Sequence, residues 1–318
     1  MRCKRLFALL VGSVLVLGWC GCSGLVYREA SVPMADSMVW LECNLRVGDT
    51  IARVNLSPAV DVRLEPEPST AWFELTPLES SSQIMLYRNG QLYCGPFLTE
   101  AHEDEPFCLL PEPVRAWPDT FLIEVTLADG QMLRASQVTP PCVSIGEVTT
   151  RFDVPLQAMA PFQGVIEVSF EDPGGQQNYY SVHAVMSRKT GFRTTSFDES
   201  EIVLTSHEAL PQGGGSLLEG GAPYGPWLLD DSGFDGQTVT LVFHFAARND
   251  GPLPDQAWTT VTLVSLTPEA WHWEYQRRLL EESENLGPFA EPVYLPMNVE
   301  GGLGTFHMEC ISEVKEFW

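Results

Sequence analysis

Carboxylates are the side chains that come closest to a chemical site in this sequence, and they cluster in two stretches. TEAHEDEP carries four of them and DDSGFDG carries three: Glu100, Glu103, Asp104 and Glu105, then Asp230, Asp231 and Asp235. Such groups can bind a cation or a basic partner, but DDSGFDG lacks the third-position carboxylate and the twelfth-position glutamate of a calcium loop. A run of like charges is usually a solvated loop. We therefore predict no metal site and no cofactor, and interpret DDSGFDG as the turn before the strand QTVTLVF.

Residues that could act as nucleophile or general base form no recognisable set. None of the six histidines lies in an HExxH or other metal-ligand spacing, and His207-Glu208 lacks the second histidine. Ser216 in GGGSLLEG lacks the glycine that a nucleophile elbow needs two residues on. Cys310 has His307 nearby in sequence, but no third group that would orient the pair can be named. The sequence therefore indicates a protein that is not an enzyme.

The cysteines point to disulfides rather than to metal. Beyond Cys22 the chain has Cys43, Cys94, Cys108, Cys142 and Cys310, far apart and without CxxC or zinc-type spacing. An exported protein can form disulfides. Cys94 and Cys108 flank one loop, so we predict that they pair. Because five is an odd number, at least one thiol stays outside any bridge within the chain.

The amino terminus carries an export signal. MRCKR is basic, Leu6 to Leu17 is apolar, and GWCGCSG is small with two cysteines, which is the order of a secretory signal peptide. The apolar run has 12 residues, whereas a helix that crosses a bilayer needs roughly 20. We predict a signal peptide over 1–21, lipidation of Cys22 and a linker over 22–37, since Gly21 is the small residue that the lipoprotein peptidase prefers. A simple secretory signal with incidental cysteines is the alternative.

The charge and composition of the chain exclude one class of ligand and indicate a globular protein. Removing residues 1–21 takes away three of the 18 basic residues, which leaves 15 against 42 acidic ones and a formal charge of −27. Such a surface repels phosphates, so nucleic-acid binding is excluded. Hydrophobic residues make up 44% of the chain and charged residues 19%, which suits a globular protein, and the length suits two domains.

The elements that must position these residues are mainly strands. Short β-rich runs separated by turns extend from Met38 to about Val148, with hairpin turns expected at Asn89-Gly90 and Asp129-Gly130. TPPCVSIG is the expected junction, and strands resume after it. We predict an all-β chain of two antiparallel β-sandwich-like domains. They are an immunoglobulin-like domain over 38–142 and a β-rich domain over 143–318.

Two features interrupt the strands of the second half. PEAWHWEYQRRLLEESE predicts a helix over 268–284, because Thr267 can cap it and Pro268 occupies a position where a missing N–H costs little. Trp271 and Tyr275 lie on one side of it, which indicates an amphipathic helix that covers the sheet. The glycine-rich stretch over 211–226 is either a functional lid or a mobile connection.

Several phrases together resemble a known family. They are MVWLECNLRVGDTIARVNLS, IEVTLADGQMLRASQVTPP, VSFEDPGGQQNYY, LLDDSGFDGQTVTL and GPFAEPVYLPMNVEGGLGTF. The chain resembles Bacteroidota lipoproteins of the domain-of-unknown-function family four-two-four-nine over nearly its whole mature length. The most specific piece is the family motif over 298–306, with Asn298, Gly301, Gly302, Gly304 and Phe306. Its glycines indicate a tight closing turn of the second domain, or alternatively a contact with a partner.

The resemblance implies a location more than an activity. Members typically begin with a lipoprotein signal and are often encoded beside outer-membrane TonB-dependent receptors. It therefore implies an outer-membrane accessory protein and names no ligand. From the predicted lipid anchor, which carries acyl chains such as palmitate, the two β domains and the lack of a catalytic set, we expect a non-catalytic protein that assists such a receptor in ligand capture or assembly. The side of the membrane stays open.

Two other functions remain possible on the sequence. One is direct binding of a glycan or peptide by the aromatic and glycine-rich stretch from Ser216 to Trp227. The other is a hydrolase whose carboxylate pair is assembled from separate strands, although the sequence offers no pair to name.

Overall fold

The computed structural model describes residues 38–58, 82–98, 106–116, 118–196, 198–206, 226–284 and 294–318. The predicted signal peptide, Cys22 and the linker lie outside these residues. So do residues 99–105 of the first acidic stretch, and residues 207–225, which include Ser216, His207 and Glu208.

Strands dominate the described part of the chain. In chain order they are β1 (Val39–Arg46), β2 (Ile51–Arg53), β3 (Asn55–Pro58), β4 (Gln83–Arg88), β5 (Gln91–Cys94), β6 (Phe107–Leu109), β7 (Thr120–Thr126), β8 (Met132–Val138), β9 (Ile145–Val154), β10 (Ala160–Glu171), β11 (Tyr179–Thr190), β12 (Arg193–Ser196), β13 (Asp198–Ser206), β14 (Trp227–Asp230), β15 (Thr238–Asn249), β16 (Gln256–Leu266) and β17 (Leu303–Phe317). The helix α1 spans Pro268–Glu284, as the sequence predicts. The fold is thus all-β and sandwich-like.

The strands form one large sheet and three smaller ones. The seven-stranded sheet has the order β12-β11-β16-β17-β1-β3, with β14 paired to β11. Two four-stranded sheets have the orders β13-β15-β10-β9 and β5-β4-β7-β8, and β2 pairs with β6. Most pairs are antiparallel, but β1 and β17 run parallel, with Trp40 opposite Leu303 and Arg46 opposite Glu309. A parallel pair needs a long connection, which is available because β1 and β17 are the first and last strands.

The last strand, β17, contributes to two hydrophobic cores. Its first part pairs with β1, and Phe306 and Met308 lie in the core that also holds Leu41, Leu86 and Phe121. Its second part pairs with β16 over residues 309–317, and Val314 packs against the second core, built on strands β10, β11, β15 and β16. Alternating burial along these strands explains the two-faced packing. The boundary predicted after Cys142 stays a prediction, and β17 serves the cores on both sides of it.

The hairpins form as predicted. Asn89 and Gly90 adopt φ angles of 50° and 77° between β4 and β5, and Gly130 adopts 90° between β7 and β8. These positive φ values are the ones that tight hairpin turns require, and they are accessible to asparagine and glycine.

Helix α1 covers the outer face of the seven-stranded sheet. Trp271 is buried, with its ring stacked on Tyr275 at 5.4 Å between centroids and tilted against Tyr179 at 5.4 Å. The predicted cap is wrong in one respect: within the described residues the Thr267 hydroxyl has no hydrogen-bond partner. The Thr267 carbonyl instead accepts the Trp271 N–H at 3.0 Å, while the side chain is buried. Among the described residues, no helix is both long and apolar enough to span a membrane.

Candidate functional site

The family motif is positioned by paired hydrogen bonds. Asn298 donates from Nδ2 to the Phe306 carbonyl oxygen at 2.7 Å and accepts the Phe306 N–H on Oδ1 at 2.8 Å. Glu300 exchanges two backbone hydrogen bonds with Arg134 on β8, at 2.7 and 3.0 Å. The motif therefore closes against strands β1 and β8 of the first half of the chain, and not within the second half alone.

Close packing explains why glycine occupies three motif positions. A Cβ added at Gly301 would lie 2.2 Å from the Met132 carbonyl oxygen, and one added at Gly304 would lie 1.9 Å from the Leu41 carbonyl oxygen. Both residues also have positive φ, 82° and 119°. Gly302 lies against the Val39 carbonyl in the same way. The motif thus contributes to the fold through its backbone, and the alternative of a partner contact stays a prediction.

Two disulfides connect described residues. Cys94 is bonded to Cys108, with Cα atoms 6.3 Å apart, which is the pair named from the sequence. Cys142 is bonded to Cys310, with Cα atoms 5.3 Å apart and 168 residues between them in sequence. The second bridge links the junction segment to β17, and no local spacing signals it. Because Cys310 is in this bridge, it cannot act as a nucleophile with His307.

Two loops bring three carboxylates together at one end of the second core. Asp231 and Asp235 come from DDSGFDG, and Asp172 comes from the turn after β10; their nearest oxygens lie within 4.8 Å of one another. Asp172 and Asp231 are buried. The sequence reasoning missed Asp172. The signal was the segment EDPGG, in which Asp172 is followed by a proline and two glycines, residues that mark a turn at the end of a strand.

The carboxylate oxygens in this acidic cluster already accept hydrogen bonds. Asp172 accepts from the Tyr180 hydroxyl, from the Asn178 amide at 3.2 Å and from the Gly236 N–H at 2.8 Å. Asp231 accepts the Asn178 N–H at 2.7 Å, and Asp235 accepts the Gly175 N–H at 2.8 Å. These bonds tie the 172–178 loop to the 231–236 turn, which supports the interpretation of DDSGFDG as a turn. Donors aimed at the oxygens compete with any cation for them.

The acidic cluster alters the protonation of its members. Burial raises the pKa of Asp231, and the neighbouring charges of Asp172 and Asp235 raise it further, while the Asn178 N–H opposes the shift. Burial together with the hydrogen bond to Asp172 raises the pKa of Tyr180 well above its usual range. Tyr180 thus stays a hydroxyl donor to Asp172 at all physiological pH values.

Burial changes the protonation of two of the described histidines. Burial lowers the pKa of His183, and it lowers that of His307 to about 4, against a smaller opposing effect of Glu269. The His307 ring lies 5.7 Å from the ring of Trp273. His272 is exposed and its Nδ1 lies 2.7 Å from the Pro268 carbonyl oxygen.

A different feature stands out at the opposite end of the second core, where three turns meet. We call it the tip surface, formed by residues 153–160, 187–196 and 248–256. Asn249, which is fully buried, donates to the carbonyl oxygens of Gln157 and Pro252 at 3.0 and 3.3 Å and accepts from Arg188 at 2.7 Å. Met159 donates its N–H to the Gly251 carbonyl at 3.1 Å. One side chain therefore holds the three segments in a fixed arrangement.

The tip surface exposes large apolar side chains. Phe192 is fully exposed, Met159 is 68% exposed and Leu253 is 58% exposed. Met159 is also a non-glycine residue with positive φ, 54°, a conformation that other contacts must stabilise. Exposed apolar side chains that form one patch mark interaction sites on proteins.

The charge of the tip surface differs from that of the whole chain. Its three segments hold four basic residues and three acidic ones, whereas the chain has a formal charge of −24. The members are Arg188, Lys189, Arg193 and Arg248, then Asp153, Asp250 and Asp255. An acidic partner or an anionic surface is thus repelled less here than elsewhere on the molecule.

The comparison with protein families agrees with the resemblance drawn from the motifs. The model of the family described as Domain of unknown function (DUF4249) matches residues 29–309. The chain therefore belongs to that family. No curated protein matches the chain.

Proposed function

We propose that this member of the DUF4249 family is a non-catalytic lipoprotein that docks on an outer-membrane partner through its tip surface. The partner we propose is a TonB-dependent receptor, which the protein would assist in ligand capture or assembly. The observation that carries the proposal is the set of exposed apolar residues Phe192, Met159 and Leu253 on turns fixed by Asn249.

The placement of the tip surface along the strands supports this proposal. β1 starts beside Leu303, at the first residue of β17, while Phe317 at the other end of β17 lies opposite Trp258. Gln256, the last residue of the tip surface, is also the first residue of β16, and Trp258 follows two positions later. A strand of 15 residues spans roughly 50 Å at about 3.3 Å per residue. The start of β1 and the tip surface therefore lie toward opposite ends of β17.

Site-specific crosslinking tests the docking. A photoreactive amino acid replaces Phe192 in one variant and Leu92 in a control; Leu92 is 57% exposed and lies in the first half of the chain. After irradiation of outer membranes, we expect the variant at 192 to crosslink to a TonB-dependent receptor identified by mass spectrometry, and the control not to. Equal crosslinking from both positions, or none from 192 in membranes that retain known receptor complexes, would contradict the proposal.

A second variant tests the same surface without a crosslinker. Replacing Phe192, Met159 and Leu253 together by serine removes the exposed apolar area, and each change is at the surface, so the melting temperature should stay nearly constant. We expect recovery of the receptor by affinity purification to fall by about tenfold or more, the loss that 1.4 kcal/mol of binding energy gives. A triple variant that melts normally and recovers the receptor fully would rule out this surface.

The anchor has its own test. Cys22→Ser should remove the acyl mass from the amino-terminal peptide and release the protein into the soluble fraction. The other nearby cysteine, Cys20, follows Trp19, whereas the lipoprotein peptidase prefers a small residue before the cysteine. If the variant keeps a lipid-dependent association with membranes, Cys20 is the next residue to replace, and the assignment to Cys22 is wrong.

A further inference from the structure

Strand β12, which belongs to the tip surface, lies at the edge of the seven-stranded sheet. It pairs with β11 on one side, and among the described strands none pairs with it on the other. All four of its residues, Arg193–Ser196, are exposed. An edge strand presents a row of backbone N–H and C=O groups, and another extended segment can pair with that row.

The register between β11 and β12 shows which backbone groups face outward. Thr190 lies opposite Arg193, with the two-residue turn Gly191-Phe192 between them. Gly191 has a positive φ of 60°, at the position where a type II′ hairpin turn requires glycine. The two residues that flank such a turn exchange backbone hydrogen bonds, and the next pair along the ladder does not. The backbone groups of that next pair therefore point away from each other.

Thr194 and Ser196 direct their backbone N–H and C=O groups away from β11. Thr194 lies opposite Lys189, whose carbonyl accepts the Asp255 N–H at 3.0 Å on the other side of β11, where β16 begins. Ser196, two residues further along, faces the same way as Thr194. Within the described part of the chain, no hydrogen bond reaches these outward groups. We call the outward groups of Thr194 and Ser196 the β12 edge.

The hairpin that carries the β12 edge is basic. Residues 187–196 hold Arg188, Lys189 and Arg193 and no acidic residue, although the whole chain has a formal charge of −24. Lys189 and Arg193 are exposed, and they form no ion pair within the described residues. Opposite charges on neighbouring strands stabilise a sheet, so the hairpin favours an added strand with acidic side chains.

The same charge disfavours a second copy of this chain on the β12 edge. Two such hairpins side by side would bring Lys189 and Arg193 of one copy close to those of the other, and like charges across strands destabilise pairing. Basic residues on edge strands are one means by which proteins prevent pairing with their own copies. An acidic extended segment avoids this repulsion and satisfies the outward N–H and C=O groups.

We propose that the β12 edge binds an extended acidic segment of the partner, which adds to the seven-stranded sheet as a further strand. Main-chain hydrogen bonds to Thr194 and Ser196 hold the segment, and its carboxylates pair with Lys189 and Arg193. This inference rests on the proposed docking at the tip surface, because it names the chemistry by which that surface holds its partner.

A synthetic peptide tests strand addition without the receptor. The probe is a fluorescein-labelled peptide of alternating glutamate and valine, about eight residues long so that it spans β12. The control has the same sequence with every backbone nitrogen methylated, which keeps the charge and removes the N–H donors. By fluorescence anisotropy on the full mature chain, we expect saturable binding of the probe and binding of the control weaker by about tenfold or more. No binding of the probe, or equal binding of both peptides, would overturn the proposal.

Thr194→Pro locates the bound peptide. Proline removes the outward N–H of Thr194 and leaves the ladder bonds to β11, which belong to Arg193 and Thr195. We expect the variant to bind the probe more weakly by about tenfold or more, whereas Thr194→Val keeps the N–H and should bind it like the wild type. Bound probe should also slow amide hydrogen exchange over residues 193–196 of the wild type. Unaltered binding in a folded Thr194→Pro variant would overturn the proposal, as would unchanged exchange in the wild type if that variant does not fold.

The peptide and receptor experiments separate the two proposals. If position 192 crosslinks to the receptor but the probe does not bind, the docking stands and strand addition is wrong. If the probe protects the β12 edge but position 192 crosslinks to no receptor, strand addition stands and the receptor is not the partner. Self-association of the wild type in sedimentation experiments, abolished by Thr194→Pro, would show that a second copy occupies the edge and would overturn the acidic occupant.

Discussion

Asn298 and Phe306 hold the family motif closed by exchanging two hydrogen bonds, Nδ2 to the Phe306 carbonyl at 2.7 Å and Phe306 N–H to Oδ1 at 2.8 Å. Phe306 is fully buried in the first core, so its backbone groups have no access to water there. A side-chain amide supplies both a donor and an acceptor in one plane. The Asn298 side chain thus makes the two hydrogen bonds that the backbone of a neighbouring strand would otherwise make with Phe306.

Asn298→Asp should destabilise the protein severely. The substitution keeps the size of the side chain but replaces the donor by a second oxygen, which faces the Phe306 carbonyl and leaves it unpaired. We expect a loss of about 2–4 kcal/mol in the free energy of unfolding, measured by urea titration. Asn44→Asp, at an exposed position on β1, is the matched control and should stay within about 0.5 kcal/mol of the wild type. Equal effects of the two substitutions would contradict this role.

Gly304→Ala should be more harmful than the same change at a glycine with a similar backbone angle. Its Cβ would lie 1.9 Å from the Leu41 carbonyl oxygen, whereas a Cβ at Gly48 meets nothing within 4 Å although φ is +95° there. Gly48→Ala should therefore cost only about 1 kcal/mol, the effect of positive φ. Gly304→Ala should cost more than about 3 kcal/mol or prevent folding, because backbone must move. Thermal melts of both variants measure the difference.

The sequence predicted features that local chemistry determines. The turns at Asn89-Gly90 and around Gly130, the helix over 268–284 and the all-β class depend on residue types within a few positions. The parallel pairing of β1 with β17 was not predictable in this way, because nothing in either strand encodes a partner more than 250 residues away.

The candidate sites were less accessible to sequence reasoning than the fold. Asp172 joins Asp231 only when two loops meet, and the open edge of β12 is recognised only once the strand order is known. Phe192 and Met159 are ordinary apolar residues in the sequence, and their exposure follows from where their turns end. For the same reason the Cys142–Cys310 bridge has no sequence signal, while Cys94–Cys108 flanks one loop.

The two disulfides should differ in how much they stabilise the fold. A bridge restricts the unfolded chain more when it closes a longer loop, and the bridges separate 168 and 14 residues. Replacing Cys142 and Cys310 by serine should cost roughly 5 kcal/mol, against about 3 kcal/mol for Cys94 and Cys108. Denaturant unfolding of the two double variants measures this order, and peptide mass mapping without reduction verifies each bridge. The reverse order would show that loop length does not dominate.

Asp231→Asn should stabilise the protein at neutral pH. The folded state raises the pKa of Asp231, so the folded protein binds the proton more tightly than the unfolded chain does. This contribution to stability is present below the unfolded pKa, near 3.9, and is lost as the pH rises through the folded value. Asparagine removes the charge and keeps an acceptor for Asn178 N–H, so we expect a gain of about 1 kcal/mol near pH 7, or about 2–4 °C in melting temperature.

Two controls accompany the Asp231 variant. Asp230→Asn, one residue away, changes a carboxylate that accepts the Ser232 N–H in its own turn and should show no such gain. Millimolar calcium and EDTA should leave the wild-type melting temperature unchanged, because N–H and O–H donors already occupy the carboxylates. A calcium-dependent rise that Asp231→Asn abolishes would show that the cluster binds a cation instead.

His307 should make the protein sensitive to mild acid. Burial lowers its pKa to about 4 in the folded protein, against about 6.5 in an unfolded chain. The unfolded chain therefore binds more protons between these values, so the stability contributed by neutral His307 is complete above about pH 6.5 and decreases as the pH falls toward 4. His307→Gln should reduce this acid dependence by up to about 3 kcal/mol. Denaturant titrations between pH 4.5 and pH 7.5 measure the slope, with exposed His272→Gln as control. An unchanged slope in the His307 variant would assign the acid sensitivity to other groups.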